Sequence, residues 1–212
     1  MDELELLKQK WQAREQELPK LSYNDIYKLI LKKSSSIVKW IFIIGILELC
    51  FWIALVLLTP ESQMKIMNDM GLKTASLITN IIHFAIIAIF IWYFYRNYKS
   101  IQVTDNTKML MKNILKTRKT VRYFVFYNLA MYAVSSVFIV TYFYMNSGRL
   151  YTIMDFASRG ISSENFDNRF LIGYIIASIL FIGILMLFYW LIYGILLGRL
   201  KRNYKELKRM EV

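Results

Sequence analysis

Apolar residues along this chain fall into four blocks separated by charged connectors. Trp40 to Leu58 is the first; it stops at Thr59-Pro60 and carries one charge, Glu48. Leu77 to Tyr95 is the second and holds His83. Tyr123 to Met145 and Phe170 to Gly198 are the third and fourth, both without formal charge. Because about 20 residues rising 1.5 Å each cover the ~30 Å of bilayer hydrocarbon, each block predicts a membrane-crossing helix. A helix apolar on every side has no face for water, which argues against four surface helices of a soluble core. The last block outruns the hydrocarbon, so its Tyr189-Trp190 to Gly198 end is expected to tilt or to emerge among the headgroups. Aromatic clusters at block ends, such as Trp92 to Tyr95 and Tyr142 to Tyr144, match the belts that amphipathic rings form at an interface. The expected architecture is all-α: an integral membrane, antiparallel four-helix bundle with a cytoplasmic N-terminal amphipathic helical arm. The arm is 1–36, the membrane domain 37–198 (spans near 40–58, 77–95, 123–145 and 170–198), and a basic cytoplasmic tail fills 199–212.

The connectors set the orientation. Residues 1–39 and the connector from Arg96 to Arg122 each hold eight Lys and Arg, and the tail from Arg199 holds six. The two alternate connectors hold five between them: Lys65, Lys73, Arg149, Arg159 and Arg169. Cytoplasmic flanks retain basic residues during insertion, so both termini and the middle connector are expected in the cytoplasm of a multi-pass protein of the cell (inner) membrane. The formal charge of +12 then lies almost wholly beside the cytoplasmic leaflet, where anionic lipids attract it. No nucleic-acid motif accompanies that charge, and no nucleic-acid partner is expected. The first apolar run begins behind a long charged segment and lacks a small-residue cleavage site, so no cleavable leader is expected.

The amino-terminal arm is patterned as two short helices. Leu4, Leu7, Trp11 and Leu18 recur at helical spacing, with Asp2 and Glu3 at the favourable end, and Pro19 breaks the run. Ser22-Tyr23-Asn24-Asp25 then reads as a capping box in which Asp replaces the usual Glu. An apolar stripe of Tyr23, Ile26, Tyr27 and Ile30 follows it into the first span. The arm is expected either to lie on lipid or the middle connector, or to dock a cytoplasmic protein through Leu7 and Trp11. Met109 to Leu115, set among lysines, is another short basic amphipathic stretch, and the tail reads as a helical extension of the fourth span.

Polar groups inside the blocks are the candidates for chemistry, since ionisable side chains are costly in hydrocarbon. At 1.5 Å per residue Glu48 lies ~12 Å beyond Trp40, near the expected depths of Asn128 and Tyr132, either of which is placed to donate to its carboxylate. His83 and Asn80 lie one helical turn apart nearer the other side, at the depth of Tyr174 and Ser178, so the ruler gives two polar layers. Cys50 is expected to be a small buried residue. Met64, Met67 and Met70 form a soft-ligand stripe just beyond the first span, a weak candidate for Cu(I) without Cys or His beside it. No metal or other cofactor is otherwise expected.

Composition closes off other classes. At 57% hydrophobic and 20% charged, with a mean hydropathy of +0.37, the chain departs from soluble domains, which run at roughly 45–50% apolar. One histidine and one cysteine leave no material for most triads or zinc sites, and no phosphate-binding glycine loop or H-E-x-x-H is present. The segment Leu18-Pro19-Lys20-Leu21-Ser22-Tyr23, with Lys32-Lys33-Ser34-Ser35-Ser36-Ile37-Val38-Lys39-Trp40-Ile41-Phe42, resembles small bacterial four-span membrane proteins of uncharacterised function. That resemblance implies the four-span layout and no activity or site residue. The expected function is a non-enzymatic membrane adaptor or regulator that presents its arm to a cytoplasmic partner or assembles as a homo-oligomer. The competing expectation is a small transporter or channel subunit that uses Glu48 and His83.

Overall fold

The structure, a computed structural model, describes Glu5, Lys8 and residues 22–104, 106–164 and 166–210. Leu7 and Trp11 lie outside the described residues. The described residues are helical and contain no strand: α1 (Tyr23–Leu57), α2 (Glu61–Asp69), α3 (Lys73–Gln102), α4 (Thr107–Met145), α5 (Ser147–Ile153), α6 (Phe166–Tyr189) and α7 (Ile195–Met210). A π-turn, Trp190–Gly194, joins α6 to α7, so that Phe166–Met210 is one continuous rod. Four rods, α1, α3, α4 and the α6–α7 pair, are long and apolar enough to cross a membrane.

Each rod runs past its apolar block, and local chemistry explains where it stops. The short Asp serves the capping box at Ser22: the Ser22 side chain accepts from the Asp25 N–H at 3.2 Å, and Asp25 accepts from the Ser22 N–H at 3.1 Å. From there α1 continues unbroken through Ser34-Ser35-Ser36 into the apolar block and ends before Thr59-Pro60. Asn106 caps α4 by accepting from the Lys108 N–H at 2.9 Å. The Met109–Leu115 stretch is therefore not a separate surface helix. It is the first part of a 39-residue helix with no Gly or Pro to interrupt it, about 58 Å long.

The helices close a ring: α1 packs on α3, α3 on α4, α4 on α6 and α7, and α7 back on α1. The main core runs along the basic half of that ring. Ile30, Val38 and Ile41 of α1, Phe94 and Ile101 of α3, Ile114 and Phe124 of α4, and Leu200 and Leu207 of α7 are all buried there. Gly45 permits the closest approach, since a Cβ there would sit 3.2 Å from the Phe94 ring. Polar pairs pin the basic end: Asn203 donates to Ser34 at 2.9 Å, Asn97 to Thr120 at 3.2 Å, and Asn113 to Thr104 at 3.0 Å. Tyr27 donates to the Thr104 carbonyl at 2.7 Å, tying the start of α1 to the α3–α4 turn. The amphipathic segments on either side of the apolar blocks thus bury their apolar faces on one another.

At the opposite end a second, smaller core gathers Met70, Leu72, Leu150 and Phe166. Gly71, at φ +76°, supplies the left-handed residue that ends α2, and Tyr142 donates to the Met70 carbonyl at 2.7 Å. Arg149 donates to the Asp69 carbonyl across the same cap.

Candidate functional site

Glu48 is the one acid in the middle of an apolar helix, and the structure shows what holds it. Tyr189 donates to Oε1 at 2.6 Å and Tyr193 donates to Oε2 at 3.0 Å. Glu48 is 5% exposed and both carboxyl oxygens accept a hydrogen bond. The tyrosines are four residues apart on the last rod, one ending α6 and one inside the π-turn, so both rings face α1. Phe124 of α4 packs edge-on against them, with centroids 6.5 and 5.8 Å away. A carboxyl group removed from water is costly unless hydrogen-bonded, and here two phenols meet that requirement while joining the first rod to the last.

These donors are not the ones expected. The Asn128 amide donates to the Phe124 carbonyl of its own helix at 2.9 Å, and the Tyr132 ring lies against Phe181 at 4.8 Å. Depth along a helix does not fix rotation about its axis, and neither residue bonds Glu48; both line the cavity beside Tyr189. Depth alone did contain the answer. Counted inward from Arg199, Tyr193 and Tyr189 lie at ~9 and ~15 Å, on either side of the ~12 Å computed for Glu48. The Tyr-x-x-x-Tyr spacing, which puts both phenols on one helical face, is the signal that matching Glu48 with the third block alone passes over.

The two expected polar layers meet around one cavity of about 340 Å³. Asn80 and His83 of α3, Asn128 and Tyr132 of α4, and Tyr189 of α6 line it, with Trp52 of α1 on the remaining side. Glu48 lies behind this wall, reached through Tyr189. His83 Nδ1 is 3.2 Å from the Tyr127 hydroxyl, and the two rings stack at 5.7 Å. A neighbouring cavity of about 390 Å³ shares Thr79, Asn80, Met131 and Ser135 with the first. Tyr174 and Ser178 line a different cavity in the α4–α6 contact, where Ser178 accepts from Ser136 at 2.8 Å and also bonds Tyr132 of the first cavity.

The remaining candidates separate. Met70 is fully buried in the small core, Met67 packs against that core and Met64 is exposed, so the thioethers occupy three different environments. Among the described residues no three His, Cys, Asp or Glu side chains group as a metal site. Cys50 is exposed on the outer face of α1 rather than buried, because Glu48 and Gly45 take the inward positions. What the centre of the molecule offers chemically is a set of neutral donors and acceptors around an apolar cavity, next to a fully bonded carboxyl group.

No curated protein and no solved structure matches the chain. Residues 24–212, which run from the second residue of α1 through α7, match the family model described as Domain of unknown function (DUF8845), and the chain belongs to that family.

Proposed function

We propose that this is a non-enzymatic integral membrane protein that crosses the cell membrane four times, with both termini in the cytoplasm, and acts as an adaptor. The observation that carries the membrane reading is the outer surface of the four rods. Of the most apolar 18 residues in each, only 17, 11, 17 and 6% are buried. Leu57 is 76% exposed, Val134 67% and Leu180 63%. Soluble monomers rarely expose contiguous apolar patches beyond a few hundred Å², so lipid is the solvent that suits this face. The basic excess at the α3–α4 turn, at the start of α1 and along α7 supports the cytoplasmic assignment of that end.

The adaptor reading rests on the state of Glu48. A carboxyl group engaged by two phenols, behind the cavity wall, locks helices together and is not positioned as an open ion ligand. The adaptor reading assigns partner contact to the arm, through Leu7 and Trp11. A photoreactive residue at Trp11 in the full-length protein tests this: one defined protein adduct, abolished by Leu7→Asp, is expected. Absence of an adduct, or one insensitive to Leu7, contradicts the adaptor role.

One observation favours the transporter or channel alternative, namely the cavity that brings Asn80 and His83 together. Under that reading His83→Ala in proteoliposomes lowers flux of a small uncharged solute; under the adaptor reading the wild type and the variant are equally impermeable.

A further inference from the structure

The basic half of α4 carries a cationic stripe. Arg118 and Lys119 lie three and four residues from Leu115, and Arg122 four and three residues beyond them, which places the group on one helix face. With Tyr123 they line a cavity of about 340 Å³. Arg118 and Arg122 are like charges one turn apart, a repulsive arrangement without an anion between them. Helix α4 contains no acidic residue, and the one ion pair among the described residues joins Arg202 to Glu206. Arg118 is half-buried, with Nε shielded and without an acceptor, and a bound oxyanion would supply one.

The same face changes character at Arg122, which also lines an almost wholly apolar groove of about 370 Å³. Val125, Phe126 and Leu129 form its α4 wall; Met186, Trp190 and Leu197 form the other, across the π-turn. A π-turn widens a helix locally and recurs at binding sites. Cations at one end and a hydrocarbon slot running on from them suit an amphiphile with an anionic head and an acyl chain, of which phospholipids are the membrane's own.

We propose that Arg118, Lys119 and Arg122 hold the phosphate of an anionic phospholipid of the cytoplasmic leaflet, with one acyl chain in the α4–π-turn groove. This rests on the four-span reading and goes beyond the diffuse attraction of a basic face for anionic lipid. The commitment to lipid rather than free phosphate follows from Arg122 being common to the basic cavity and the groove.

The test is native mass spectrometry of the full chain in detergent with added phosphatidylglycerol or phosphatidylcholine. Phosphatidylglycerol is expected to be retained about tenfold more, and Arg118→Gln with Arg122→Gln to abolish that preference. Lys201→Gln with Arg202→Gln, an equal charge loss on α7, is expected to leave it intact. Met186→Trp narrows the groove without touching charge and is expected to weaken retention, which decides the matter if the arginine variant does not fold. Equal retention of the two lipids, equal loss with the α7 pair, or full displacement by glycerol 3-phosphate would overturn the proposal. Release of the chain from native membranes by alkaline carbonate would instead overturn the four-span reading, so the two failures are distinguishable.

Discussion

Removing the phenol hydroxyls from Glu48 measures how much the central contact contributes. Tyr189→Phe leaves the ring packed on Phe124 and deletes only the donor to Oε1. Interhelical hydrogen bonds in a bilayer average about 0.6 kcal/mol and reach about 1.7, whereas bonds to a charged group in soluble proteins contribute about 1.5–3. At 2.6 Å, with a 5% exposed acceptor, Tyr189 belongs at the upper end of the bilayer range, so a loss of about 1–2 kcal/mol is expected. Tyr193→Phe, from a 3.0 Å contact, is expected to cost somewhat less. Glu48→Leu leaves both hydroxyls without their acceptor and is expected to cost more than either, about 2–4 kcal/mol. Glu48→Gln keeps an acceptor oxygen and falls between. The assay is reversible denaturation in mixed micelles, run as a double-mutant cycle between Glu48→Leu and each Tyr→Phe. The expected coupling with Tyr189 is about 1 kcal/mol or more. A coupling of zero with both tyrosines, or a Glu48→Leu protein as stable as wild type, would refute the claim that this contact joins the first and last rods.

Other expectations concern packing and capping. Gly45→Val should cost about 1–3 kcal/mol because the Cβ meets the Phe94 ring at 3.2 Å, while Gly173→Ala, with open space around it, should be neutral or slightly stabilising by thermal denaturation. Ser22→Ala removes the acceptor at the start of α1, and hydrogen exchange over residues 23–30 should speed up as about 1 kcal/mol of local stability is lost. Asn203→Leu leaves buried Ser34 without its donor and should destabilise the basic end by about 1–3 kcal/mol, with far less effect from Lys201→Leu on the exposed face of α7.

Much of this architecture is legible in the chain because apolar length and helix-capping chemistry are local properties. The four blocks, the Ser22–Asp25 box and the helical tail could each be read from fewer than 30 neighbouring residues. What was not legible depends on rotation about a helix axis and on how far a helix continues. The ruler matches Glu48 with Asn128 and Tyr132 by depth, whereas Tyr189 and Tyr193 of the last rod are the side chains that bond it. Cys50 was misplaced for the same reason, since two residues from Glu48 on a helix is an opposite direction. The charged connectors are patterned for an interface, with lipid as one partner and a neighbouring connector as the other. Their apolar positions (Ile101, Leu110, Ile114, Leu207) pack together and extend the core beyond the apolar blocks. No local pattern distinguishes an amphipathic face that meets lipid from one that meets another helix.

The four-span topology itself is tested most directly by cysteine accessibility in intact cells, on a Cys50→Ala background. Ser158→Cys, between α5 and α6, is predicted to react with a membrane-impermeant maleimide added outside. Lys205→Cys, on α7, is predicted to react only after the membrane is permeabilised. Labelling of both from outside, of neither after permeabilisation, or of Lys205→Cys alone in intact cells would contradict it.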